Sequence, residues 1–199
     1  MRPFIVGIAG GTASGKTTIA ARAAVQLGAV VLTHDRYYLD APSPRGHDFD
    51  RPESLQTSLL AEHLGALTRG EGIDAPVYDF ATHSRAAHTE HIAPTEIVFV
   101  EGILVLAEPE LCVRFDYRVF VHCDDDTRLG RRLARDTRER GRVWDDVLQQ
   151  WFSTVRPAYK SYVEPSRQHA ALVLDGDGVL DTQVGRLVAG VRLALAARA

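Results

Sequence analysis

Short apolar runs alternate along the chain with segments of helical spacing. Pro3 to Ala9 is rich in β-branched residues and runs into glycines, after which Thr17 to Leu27 carries a helical pattern, so the opening reads strand, tight loop, helix. Ala29 to Thr33 predicts a second buried strand. The polar, proline-broken stretch from His34 to Pro52 fits neither regular element and reads as a long functional loop or lid. Leu55, Leu59, Leu60, Leu64 and Leu67 predict a helix over Glu53 to Arg69, with Ser54 or Asp50 as its cap. From Gly70 to Thr95 the pattern is irregular around Pro76-Val77-Tyr78-Asp79-Phe80, as a hairpin or extended flap would be. Three further strands are expected at Glu96 to Val100, Tyr117 to Val121 and Ala171 to Leu174, with helices between them and a last helix over Thr182 to Ala197. Strands alternating with helices predict an α/β fold on a parallel sheet.

Length and composition leave that picture as one domain, 1–199: the chain has 199 residues, 45% of them hydrophobic and 25% charged, with no repeat or linker to divide it. A net charge of -3 argues against a protein that coats nucleic acid or an acidic membrane surface. No apolar run approaches the roughly 20 residues that span a bilayer, and Gly10, Gly11 and Lys16 interrupt the apolar start before any signal-peptide cleavage site. A cytoplasmic location is expected. Cys112 and Cys123 are too few for a disulfide framework or a thiolate metal site.

Candidate chemistry begins at the first strand-to-helix junction. Gly10-Gly11-Thr12-Ala13-Ser14-Gly15-Lys16-Thr17 matches the phosphate-loop pattern in the context it requires, and Thr18 follows it. Glycines let successive backbone N–H groups face phosphates, and the following helix adds its N-terminal partial charge. Lys16 is expected on the β- and γ-phosphates of ATP or GTP, and Thr17 on Mg²⁺. Only Lys16 and Lys160 are lysine among 23 basic residues, so a lysine in the loop is chosen against a strong arginine bias. A compact ammonium fits there where a forked guanidinium does not.

In open α/β sheets ligands gather at the carboxyl ends of strands, which singles out Asp35 and Glu101. Asp35 is placed to take the proton of an acceptor hydroxyl, and Glu101 to hold Mg²⁺ through water. Arg128, Arg131, Arg132 and Arg135 follow helical spacing, and Arg138, Arg140 and Arg142 continue the series. Such a face is either solvated and paired with its own acids, Asp136 and Glu139, or a lid over the triphosphate. His83, His88 and His91 do not read as a metal site, because they lie in a polar stretch without cysteine. Tyr78 and Phe80 fit equally a flap core or a base-stacking wall.

Together with Asp35-Arg36-Tyr37-Tyr38, Phe49-Asp50-Arg51-Pro52, His83-Ser84-Arg85, Glu101-Gly102-Ile103-Leu104, Asp126-Thr127-Arg128-Leu129 and Glu139-Arg140-Gly141-Arg142, these motifs resemble the uridine-cytidine kinase family from about Phe4 to about Leu174. The resemblance implies a P-loop NTPase fold: a three-layer sandwich around a central, mostly parallel sheet, with an arginine-rich lid and a small substrate-binding flap. It implies transfer of the γ-phosphoryl group of ATP or GTP, with Mg²⁺, to the 5′-hydroxyl of uridine or cytidine. Asp35 matches the catalytic aspartate, also counted with Thr17 and Glu101 around the metal. Asp50 and Arg142 match residues on the ribose hydroxyls, Tyr78 and His83 residues on the pyrimidine, Arg132, Arg135 and Arg140 lid arginines, and Gln150 a further substrate contact; Tyr38 joins the substrate residues. The family is commonly tetrameric and feeds pyrimidine salvage. The chain departs from it at Ala170-Ala171 and Asp175-Gly176-Asp177-Gly178, and in a loop between Tyr38 and Phe49 that is short and proline-rich. Other acceptors remain open, as in phosphoribulokinase-like or pantothenate kinase-like enzymes, as does a non-catalytic nucleotide-binding module. A switch GTPase is excluded on one point: its Asn-Lys-x-Asp guanine reader needs asparagine, and the chain has none.

Overall fold

The computed structural model describes residues 2–41 and 48–198. Five parallel strands form one sheet in the order β2-β5-β1-β6-β7: β1 (Phe4–Gly10), β2 (Val30–Thr33), β5 (Ile97–Gly102), β6 (Tyr117–His122) and β7 (Leu172–Asp175). β3 (Ile73–Asp79) and β4 (Ser84–Ile92) form a separate antiparallel hairpin, the expected flap. β1 is buried along its whole length, which is why it reads as a continuous apolar run and not as an alternation.

The pleat sends neighbouring side chains of β1 to opposite faces of the sheet. Phe4, Val6 and Ile8 pack with Ile19 and Ala23 of α1 (Lys16–Leu27) and with Val184, Leu187, Val188 and Val191 of the C-terminal helix Leu180–Ala196. Ile5 and Ala9 face the other core, where Leu60, Leu64 and Leu67 of α2 (Thr57–Thr68) are completely buried. Each such leucine contributes about 1.5–3 kcal/mol. The result is the three-layer sandwich expected, with the sheet between two helical layers.

Helix α2 begins at Thr57, not at Glu53, and neither Ser54 nor Asp50 caps it. Leu55 is extended and bridges Tyr38, so one leucine of the apparent helical pattern is spent on tying down the preceding loop. Ser54 closes a 3-10 turn by donating to the carbonyls of Phe49 at 3.1 Å and Arg51 at 2.6 Å. The proline-rich part of the Tyr38–Phe49 loop, residues 42–47, lies outside the described residues.

α3 (Pro109–Cys112) is a single turn, and α4 (Asp125–Glu139) carries the arginine series, followed by α5 (Trp144–Gln150). Beyond α5 the chain winds through two π-helical turns, Trp151–Val155 and Tyr159–Val163. Pro157 and Pro165 lack the N–H that continues a regular ladder, and the wider turns accommodate them. This winding brings the rings of Trp151 and Tyr159 against one side chain of α4, Arg128.

Candidate active site

β1 delivers the chain into the phosphate loop at the carboxyl edge of the sheet. Gly15 has φ +90° and Ala13 φ +61°, the left-handed conformations that turn the loop back on itself before α1 starts. Gly11 packs directly on Arg128: a Cβ there would come 2.4 Å from the guanidinium. Arg128 is fully buried, its guanidinium carbon 3.8 Å from the Tyr159 ring centroid, with Nε donating to the Cys123 carbonyl at 3.2 Å and Nη2 paired with Asp125. The loop therefore rests on a cation clamped between an aromatic face and an acid. Sequence reasoning left the face bearing Arg128 open between a solvated surface and a lid and missed this role, although its spacing with Arg132 and Asp136, one turn apart each, was the available signal.

Lys16 and Glu101 meet beneath the loop. Lys16 Nζ lies 3.9 Å from Glu101 Oε2, and the Thr17 hydroxyl donates to Glu101 Oε1 at 3.3 Å. Glu101 is buried, and its Oε2 has no hydrogen-bond partner among the described residues. Burial raises its pKa, Lys16 opposes that, and the neighbouring Asp35 adds to it. A buried carboxylate oxygen with spare valence beside a hydroxyl is a donor set that fits a hard cation such as Mg²⁺. Among the described residues no group of three or more His, Cys, Asp or Glu has metal-holding geometry.

Asp35 sits in the 3-10 turn His34–Tyr37 that follows β2. Its carboxyl is pushed up by desolvation and pulled down by Lys16, Arg140 and Arg135, in that order. Asp50, buried, is pushed up to about 6 by desolvation, against the pull of Arg132, with Asp48 and Asp35 adding to the rise. Tyr38 is also buried here and packs on Tyr78, ring centroids 5.4 Å apart, and edge-on against Phe49 at 5.7 Å. Phe49 stacks on His83 at 5.0 Å. His83 has φ +52°, a left-handed conformation unusual for histidine, at the tip of the hairpin. The Tyr78 hydroxyl is buried with no partner among the described residues, while Phe80 is exposed. Tyr78 is thus both a flap-core aromatic and the owner of an unsatisfied polar atom.

The arginines of α4 divide: Arg131 and Arg138 are exposed, whereas Arg128 and Arg132 are buried and Arg135 is half-buried. Arg132 and Asp136 are buried, and Asp136 gathers four guanidinium groups: Arg135 at 2.8 Å, Arg140 and Arg142 at 3.4 Å, and Arg132 at 3.5 Å. Arg132 also reaches the Thr12 hydroxyl at 3.3 Å and the Gln150 side-chain oxygen at 2.8 Å, and Arg142 shares that oxygen at 2.8 Å. Gln150 therefore joins α5 to the arginine cluster. Arg140 lies over the Phe80 ring, 5.4 Å from its centroid, so the lid touches the flap. Asp136, read from the sequence as a surface partner, is instead the hub of the lid. Thr18, Gly15 and Arg131 border a cleft of about 240 Å³ with Asp175, Gly176 and Gln183, beside the end of the phosphate loop.

A sequence profile described as the Phosphoribulokinase / Uridine kinase family matches residues 5–183. A protein of Chloroflexus aggregans named uridine kinase is 40% identical over 201 residues, covering 97% of this chain and 96% of that protein. Another of the same name from Lactobacillus johnsonii is 39% identical over 203 residues, covering 98% of this chain and 96% of its own. Two solved structures share the fold. One is a D-glycerate 3-kinase from Cryptococcus neoformans, with a TM-score of 0.65 at 15% identity over 88% of this chain and 87% of that one. The other is the phosphoribulokinase from Rhodobacter spheroides, with a TM-score of 0.65 at 13% identity over 87% of this chain and 70% of that one.

Proposed function

The chain belongs to the phosphoribulokinase/uridine kinase family, and from that premise we propose that it is a uridine kinase that transfers the γ-phosphoryl group of ATP or GTP to the 5′-hydroxyl of uridine or cytidine. The observation that carries the reading is the position of Asp35. Its carboxylate lies within the field of Lys16, Arg135 and Arg140, while the aromatic group of Tyr38, Phe49, Tyr78 and His83 lies just beyond it in the same loop and flap. A base under the influence of these cations, on the loop that also carries ring-stacking surfaces, suits a nucleoside hydroxyl. The high identity to uridine kinases over nearly the whole chain supports the same acceptor.

The phosphate loop binds the triphosphate through backbone N–H groups and Lys16. Asp50 and Arg142 hold the ribose hydroxyls, and Tyr78 and His83 the pyrimidine. Asp35, with its raised pKa, accepts the 5′-hydroxyl proton as that oxygen attacks the γ-phosphorus in line. Arg132, Arg135 and Arg140 place positive charge on the transferring oxygens and exclude water. Glu101 and Thr17 are the residues that would hold Mg²⁺, which supplies charge neutralisation at the phosphates when bound. We place the enzyme in the cytoplasm as a homo-oligomer feeding pyrimidine salvage, on the strength of the family resemblance.

The test is phosphoryl transfer from ATP and from GTP, with Mg²⁺, to uridine, cytidine, adenosine, ribulose 5-phosphate and pantothenate. Product from the pyrimidine nucleosides is expected. Turnover of another acceptor with silence on both pyrimidines would overturn the roles of Tyr78 and His83 and leave the phosphate loop standing.

A further inference from the structure

We propose that Arg85 is a positioning residue for the transfer: its guanidinium locks the loop that carries Asp35 to the flap that carries Tyr78 and His83, so that base and acceptor are held at one fixed separation. The inference rests on the nucleoside-kinase reading above.

Arg85 stands near the start of β4, opposite Tyr78 in the register of the hairpin, at the point where a bulge between Pro76 and Tyr78 shifts that register. Directly opposed residues project to the same face, and here that face is turned towards the loop after β2. The side chain leaves the hairpin and divides its donors among three acceptors on that side. Nη2 donates to the Tyr37 carbonyl at 2.9 Å, Nε to the Tyr38 carbonyl at 2.9 Å, and Nη1 to the Gln56 side-chain oxygen at 2.6 Å. Its backbone N–H adds a bond to the Asp40 carboxylate at 2.7 Å, and the His83 carbonyl accepts from the Ala41 N–H at 3.0 Å.

Tyr37 and Tyr38 lie two and three residues beyond Asp35. Tyr37 is itself fixed, fully buried with its hydroxyl 2.8 Å from His63 Nδ1, and its carbonyl also accepts the Gln56 N–H at 2.8 Å. The turn bearing Asp35 is thus held to α2 from behind, and to the flap by the Arg85 guanidinium on its backbone carbonyls, beside the Arg36–Glu90 ion pair and the packing of Tyr38 on Tyr78. Three acceptors in different directions need the rigid fork of arginine; an ammonium on a flexible stem satisfies them only in part. Arg85 touches no reacting atom in this arrangement, and its effect is expected in the placement of the acceptor and not in the binding of the donor.

The experiment compares the wild type with Arg85→Lys, and with Arg85→Met as a charge-free second variant. Uridine kinetics at saturating ATP and Mg²⁺, triphosphate affinity by direct titration, and amide hydrogen exchange without substrate are measured on each. Arg85→Lys is expected to lower kcat about 100-fold, the scale of a one-ångström misplacement, with triphosphate affinity unchanged. Exchange is expected to rise over Tyr38 to Ala41 and over His83 to Arg85, while β1 and α1 stay protected. A kcat near wild type overturns the proposal. So does a loss of triphosphate affinity equal to the loss in kcat, which would make Arg85 a general structural residue. If the wild type turns over neither uridine nor cytidine, the functional reading fails instead, and the exchange data still decide the clamp: unchanged exchange over Tyr38 to Ala41 overturns it.

Discussion

Arg132 and Thr12 lie 3.3 Å apart, guanidinium to hydroxyl, so α4 meets the phosphate loop through this polar contact as well as through Arg128 beneath Gly11. The contact is held from behind by Asp136 and Gln150, which fix Arg132 without occupying all its donors. Phosphate oxygens arriving in the loop would meet guanidinium groups that are already oriented, which is how a charged site limits reorganisation during reaction.

Replacing the hub is the most direct test of that arrangement. In Asp136→Asn, Arg132, Arg135, Arg140 and Arg142 keep their positions but lose the buried negative charge that all four share. Loss of about 3–5 kcal/mol of stability is expected, the usual result of removing one member of a buried ionic group. Triphosphate should restore part of it by supplying the missing negative charge. Urea unfolding with and without ATP measures both effects.

Asp35→Asn removes the proton acceptor while preserving shape. The rate of transfer to uridine is expected to fall roughly 10²- to 10⁴-fold, with triphosphate affinity nearly intact, because Lys16 and the loop amides remain. Equal loss of rate and affinity in steady-state and titration measurements would assign Asp35 to structure or metal binding instead.

Asp50 links nucleoside binding to pH. Its carboxyl titrates at about 6 in the fold, against 3.8 for an aspartate free in water. A raised pKa means that the native state holds the proton more tightly, so stability from this group is greatest below 3.8 and is lost as pH rises through 6. The ribose-binding role proposed for Asp50 needs the opposite, since the ionised form accepts hydrogen bonds from two hydroxyls at once. The KM for uridine should therefore rise as pH falls below about 6, while thermal stability at neutral pH should increase in Asp50→Asn even as its KM rises. Stability and nucleoside affinity moving in opposite directions, read as melting temperature and KM, is the expected signature.

What the sequence made legible follows from how local each signal is. The phosphate loop, and the positions of Asp35 and Glu101 at strand ends, were readable because strand, turn and helix are consecutive in the chain, and the motif carries its own context. Asp136 and Arg85 were not. An acid four residues from an arginine reads as a surface pair on any helix, and only the packing of α4 against Trp151 and Tyr159, twenty or more residues away, buries that face. Arg85 meets Tyr37, Tyr38 and Gln56 across 29 to 48 positions of sequence, a relation that no spacing rule anticipates. The start of α2 was misread for a related reason: Leu55 has the spacing of a helical leucine and the partner of a strand residue, Tyr38.

Glu101 separates two demands that meet on one carboxylate. One oxygen accepts from Thr17, the other lies 3.9 Å from Lys16 and is buried without a hydrogen bond. If the carboxylate serves only to hold Lys16, Glu101→Gln should weaken triphosphate binding and leave the Mg²⁺ requirement as it was. If it organises the cation, the Mg²⁺ concentration for half-maximal rate should rise about 10- to 100-fold, as when a supporting carboxylate is lost from a metal site. The second outcome is expected, because Lys16 alone does not account for an oxygen left with spare valence in a buried position. Titrating Mg²⁺ at fixed ATP against the transfer rate, beside ATP affinity measured without turnover, distinguishes the two.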